Sequence, residues 1–71
     1  MFQEYQMVKL KKNLPEQNLA RGVRGTILFV YEEKSNIPRA YEVEFIDTQG
    51  KTLAQLTVFE DDIEEDNEMG K

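Results

Sequence analysis

The stretch Tyr41-Glu42-Val43-Glu44-Phe45 alternates without a break, with three aromatic or β-branched residues on one side and two glutamates on the other. A period of two is the repeat of a strand with one face buried and one face in water. Asp47-Thr48-Gln49-Gly50-Lys51 follows, a short polar loop with glycine near its end. Glycine enters the left-handed conformation of a tight hairpin without a Cβ penalty. Beyond it, Thr52-Leu53-Ala54-Gln55-Leu56-Thr57-Val58 is again rich in β-branched residues, and Ala54, Leu56 and Val58 share a face. Strand, glycine turn and strand predict a β-hairpin.

Two more strands precede it. Met7-Val8-Lys9-Leu10-Lys11 alternates apolar and basic, which turns Val8 and Leu10 inward. Gly25-Thr26-Ile27-Leu28-Phe29-Val30-Tyr31 is apolar on both faces, with Thr26, Leu28 and Val30 on one and Ile27, Phe29 and Tyr31 on the other. Such a strand needs cover on two sides. Between these strands, Pro15 and Gly22 argue against a continuous helix, although Pro15-Glu16-Gln17-Asn18 is able to form one turn. An irregular loop anchored inward by Leu14, Leu19 and Val23 fits better. A second polar loop runs from Glu32 to Arg39 and contains Pro38.

A strand, a long loop, three more strands and a short terminal piece make an all-β layout. It is that of a small SH3-like barrel of about five antiparallel strands, in one domain spanning residues 1–63. Glu60-Asp61-Asp62 is expected to turn and deliver Ile63 to the open end of the barrel. Residues 64–71 carry too little apolar content to order themselves and are expected to form an acidic, solvated tail.

Charge follows the same division. The formal net charge is −5, yet residues 60–71 hold seven acids and one base (−6) and residues 1–59 hold seven acids and eight bases (+1). Residues 1–24 are themselves basic, with five bases and two acids (+3).

Composition narrows the chemistry. With no Cys there is no disulfide framework, thiolate nucleophile or cysteine metal site, and with no His the commonest general base and metal ligand are missing. Ser35 is the only serine and has no base available. Glu42 and Glu44 point out of a strand into water, with nothing to raise their pKa for acid–base work. Gly22 and Gly25 match no phosphate-loop spacing. No catalytic, metal or cofactor site is expected, and hence no enzyme. The chain starts Met1-Phe2-Gln3-Glu4, unlike a secretion signal, and its longest apolar run is Ile27 to Tyr31, far short of the roughly 20 residues of a spanning helix. The expected location is cytoplasmic, with no membrane contact.

Several segments together resemble a known family. Val8-Lys9-Leu10, Asn13-Leu14-Pro15-Glu16, Leu19, Gly22 and Gly25-Thr26 are followed by Ala40-Tyr41-Glu42-Val43-Glu44-Phe45, Gly50-Lys51-Thr52-Leu53-Ala54 and Glu60-Asp61-Asp62-Ile63. The pattern is similar to a bacterial domain-of-unknown-function family, number 4926, over roughly residues 7–63. The resemblance implies a small SH3-like barrel with no assigned activity and no catalytic residue to carry over. It also implies a partner encoded nearby, such as a toxin or effector. The sequence departs from the pattern after Ile63, where members tend to end in a short basic-apolar strand.

The expected function is therefore binding. The leading expectation is a non-catalytic protein-interaction module, the small antitoxin-like or accessory partner of a neighbouring bacterial protein. Contact would be made by Ile27, Phe29 and Tyr31 and steered by Glu60, Asp61, Asp62, Glu64 and Glu65. The bland counterpart is that Leu14 and Leu19 cover the aromatic face and that the acids merely keep the domain soluble. Homodimerisation through the second strand would cover that face as well. One alternative is a nucleic-acid-binding barrel using Lys9, Lys11, Lys12, Arg21 and Arg24, opposed by the acids nearby. In that case a tail folded back onto the basic set competes with a free patch. Another alternative is an accessory subunit that completes a larger enzyme.

Overall fold

The computed structural model describes residues 1–34 and 36–67. Ser35 and the last four positions of the expected tail, 68–71, lie outside the described residues. The fold is all-β: β1 (Met7–Leu10), β2 (Arg24–Tyr31), β3 (Ala40–Ile46), β4 (Thr52–Phe59) and β5 (Ile63–Glu65). Short 3₁₀ turns at Pro15–Gln17 and Glu60–Asp62 interrupt the connections. All pairings are antiparallel, in one five-stranded sheet ordered β4-β3-β2-β1-β5. This is the expected SH3-like layout, with the sheet left open so that β4 and β5 are its two edges. Among the described residues no helix is long and apolar enough to cross a membrane.

The β3–β4 hairpin forms for the reason its sequence suggests. Asp47 Oδ1 accepts the backbone N–H groups of Gln49 (2.8 Å) and Lys51 (2.9 Å), and Gly50 sits at φ 85°. The side-chain bonds replace backbone pairing lost in the turn, and glycine adopts the left-handed conformation freely.

The alternating strands then build the core. Tyr41, Val43 and Phe45 from β3, Val8 and Leu10 from β1, Val58 from β4 and Ile63 from β5 are all buried. The long β1–β2 loop seals one side. Leu14 and Leu19 exchange backbone hydrogen bonds of 2.8 and 3.1 Å, pinching the loop around the Pro15–Gln17 turn. Leu19 is buried, and Leu14 and Val23 pack against the same cluster.

The structure corrects two expectations. Ile27 does not share a face with Phe29 and Tyr31. On β3, Ile27 lies opposite Val43 and Phe29 opposite the adjacent Glu42, so Leu28 is an extra, bulged residue. One inserted residue reverses the phase of everything after it. Ile27 is consequently fully buried in the core, whereas Phe29 and Tyr31 emerge on the outer face. The second correction concerns the end of the domain. Pairing continues past Ile63, with Glu64 opposite Lys9 and Glu65 opposite Val8, and Asp66 is buried. The folded body therefore reaches at least three residues beyond the expected boundary.

Candidate functional site

The outer face of β2, β3 and β4 carries the exposed aromatic residues of the sheet. Phe29 is 49% and Tyr31 41% exposed, and their rings meet edge to face with centroids 5.0 Å apart. The register sets Tyr31 opposite Ala40 and Ala40 opposite Phe59, which is also exposed. Leu14 and Leu19 belong to the cluster that contains Ile27, on the other side of the sheet, and leave these rings open.

Glu42 lies at the centre of this face, between Phe29 and Thr57 in the cross-strand row. Its carboxylate accepts hydrogen bonds from Gln55 Nε2 (3.0 Å), Thr57 Oγ1 (2.8 Å) and the Tyr31 hydroxyl (3.2 Å). The Gln55 and Thr57 donors, with Tyr31 adding to them against a small desolvation penalty, hold Glu42 below the usual carboxylate range. The site is thus a fixed negative charge framed by aromatic rings. It suits a cationic or mixed cationic–apolar segment, and it is the reverse of what a general acid requires.

Sequence reasoning placed Glu42 outward but missed its role. The turn alone does not supply the donors. A hairpin closed between Asp47 and Lys51 would by strict alternation set Glu42 across from Leu56. Only the irregularity between the Phe45 and Ile46 pairs, which leaves Leu53 as an extra residue in β4, brings Thr57 opposite Glu42.

The acidic residues divide by location. Glu60 accepts the Tyr41 hydroxyl and forms an ion pair of 3.2 Å with the Met1 ammonium. Burial works against its charge, but these two donors and nearby Arg39 outweigh it and hold its pKa down. Asp62 follows the same logic. Its partial burial is outweighed by Lys12 Nζ at 2.8 Å and the Phe59 N–H at 2.8 Å. The Phe59 contact is one half of a capping box, in which the third residue of a turn satisfies the amide that precedes it. Asp61, Glu64 and Glu65 are exposed, and Glu65 accepts a long 3.4 Å bond from Gln6.

The basic set is interleaved with this acidic end. Lys12 is bonded to Asp62, which raises its pKa. Arg24 Nε lies 2.6 Å from Asp66 Oδ2, whose side chain is 1% exposed. Lys9 stands between Arg24 and Glu64 in the row formed by β2, β1 and β5. Lys11 and Arg21 are exposed. Folding back has replaced the free basic patch with a mixed one.

A family model of a domain of unknown function, DUF4926, matches residues 4–65. The chain belongs to the DUF4926 family. The match takes in all five strands of this DUF4926 domain and ends on the last residue of β5. No curated protein matches the chain, and no solved structure does.

Proposed function

We propose that this DUF4926 chain is a non-catalytic protein-interaction module, the small cognate or accessory partner of a neighbouring bacterial protein in the cytoplasm. The observation that supports it is the half-exposed Phe29–Tyr31 pair beside the carboxylate of Glu42, which is kept ionised. Exposed aromatic area with a fixed polar centre is the composition of binding hot spots. The partner segment that fits carries an Arg or Lys, its cation stacked on the rings and directed to Glu42, with apolar residues on either side. Asp61, Glu64 and Glu65 add a long-range negative field that speeds encounter with such a partner. Nucleic-acid binding has less support, because Lys12 and Arg24 already face Asp62 and Asp66.

The test is co-purification of the neighbouring gene's product with the wild-type chain and with the double variant Phe29→Ser/Tyr31→Ser. Capture should be lost in the double variant and weakened in Glu42→Gln, while both variants remain folded by circular dichroism at the temperature of the assay. Undiminished capture by the double variant would overturn the reading.

A further inference from the structure

The edge of β4 offers a second surface, distinct from the outer face. Among the described residues, the only strand that pairs with β4 is β3. Natural sheet edges are commonly protected by charge, proline or brevity. Strand β4 has none of these: Thr52–Phe59 is eight residues long, free of proline, and the longest uncharged run in a chain of which 32% is charged.

The direction of its free backbone groups can be derived. Glu60 N–H donates to Arg39 C=O, which continues the β3–β4 ladder one residue past the Ala40–Phe59 pair. Antiparallel strands alternate hydrogen-bonded and non-hydrogen-bonded pairs. Val58 and Leu56 therefore turn their backbone groups toward β3, and Phe59, Thr57 and Gln55 turn theirs away. The Phe59 N–H agrees, since it is taken by Asp62 from outside the ladder. Thr57 and Gln55 are left with outward donors and acceptors. Beside the second half of β4 runs a groove of about 490 Å³, walled by Leu14, Pro15, Leu56 and Val58.

We propose that this edge takes a second copy of the same chain, its β4 antiparallel to the first and centred on Leu56. Among registers that align outward-turned residues, this one sets Gln55 against Thr57 of the other copy and Thr57 against its Gln55. Four backbone hydrogen bonds form. Half-buried Leu56 meets its own counterpart, and Ala54 meets Val58, so the apolar lining continues from one copy to the next. The exposed Leu53 lies alongside the exposed Phe59 of the other copy. Charge complementarity selects the register. Lys51, just before β4, comes to the acidic Glu60–Asp62 turn that follows β4 in the other copy, twice per dimer, with Asp61 its exposed carboxylate. Shifting by two residues in either direction moves Lys51 away from that position.

Sedimentation equilibrium of the full chain across micromolar to millimolar concentration tests this. The wild type should rise with concentration from 8.3 kDa toward twice that mass. Thr57→Pro removes an N–H that faces away from β3, so it spares the ladder and should raise the dimer dissociation constant by about tenfold or more. If that variant does not fold, Gln55→Lys/Thr57→Lys sets lysines against each other and should do the same. Lys51→Glu and Asp61→Lys should each weaken dimerisation a few-fold at low salt, and the combined swap should restore it. Phe29→Ser/Tyr31→Ser should leave the dimer intact, which separates this surface from the partner-binding face. A mass of one copy throughout, a dimer indifferent to both edge variants, or a swap without rescue would overturn the proposal.

Discussion

Asp66 Oδ2 accepts a charged hydrogen bond of 2.6 Å from Arg24 Nε, and this pair fastens the acidic end of the chain across β1 onto β2. The carboxylate is shielded from water and the guanidinium is partly open, at 1% and 42% side-chain exposure. Removing the cation takes a counter-charge from a buried carboxylate, a penalty that usually exceeds the net worth of the pair. Arg24→Ala should therefore destabilise the fold by about 1–2 kcal/mol, a figure reduced because Arg24 remains half solvated. The urea midpoint reads the effect; an unchanged midpoint would show that the Arg24–Asp66 pair contributes nothing to stability.

The bulge at Leu28 predicts opposite outcomes for two neighbouring apolar residues. Ile27→Ala opens a cavity in the core and should cost about 2–4 kcal/mol. Phe29→Ala removes a half-exposed ring and one edge-to-face contact, for a loss of about 1 kcal/mol. Equal losses in paired denaturation curves would mean that the two share a face and that the bulge is wrong.

Gly25 has no space for a side chain. A Cβ there would come within 2.7 Å of Val43 Cγ1, 2.8 Å of the Glu44 carbonyl oxygen and 2.9 Å of Phe45 Cδ1. Backbone cannot yield as a flexible side chain can, so β2 and β3 would have to separate. Gly25→Ala should cost about 1–3 kcal/mol, the usual range for overpacking. Calorimetry would register it as a lower melting temperature, and wild-type stability would contradict the close approach.

Stability should fall at both ends of the pH scale. Glu42, Glu60 and Asp62 have depressed folded-state pKa values, so their contribution is complete above the unfolded values, about 3.9 for Asp and 4.3 for Glu, and is lost as pH drops through the lower folded values. Burial, assisted by the hydrogen bond to Glu60, raises the pKa of Tyr41, and Asp62 raises that of Lys12. Their contributions are complete below the unfolded values, about 10 for both, and are lost as pH climbs through the raised ones. Urea midpoints from pH 2 to 12 should show a plateau between about pH 5 and 10. Stability that increases on acidification below pH 4 would refute the assignment.

Much of the architecture was legible from spacing. Tyr41, Val43 and Phe45 had to face one way because strand side chains alternate, and Asp47 with Gly50 set where the chain reverses. Leu19 and Ile63 were readable as anchors because each is an apolar residue in a polar stretch that needs one. Phe29 and Tyr31 were recognisable as sharing an apolar face, but Ile27 was wrongly grouped with them. Strict alternation cannot represent an inserted residue, and the insertion arises from how β2 fits against β3.

Glu64, Glu65 and Asp66 show the same limit more sharply. By composition they belong in water, and nothing in their side chains asks for a strand. The free edge of β1 supplies the missing reason: its backbone groups pair with any chain laid beside them, whatever side chains that chain carries. Arg24 then offers the buried Asp66 a counter-charge from 42 residues away in sequence. By itself the sequence determined an all-β chain, its hairpin, most of its core and the uneven distribution of its charge, because these rest on local periodicity and turn chemistry. Only the tertiary structure decided the phase of β2, the extent of the domain and the fate of the acidic end, because these depend on backbone hydrogen bonds and ion pairs between distant segments.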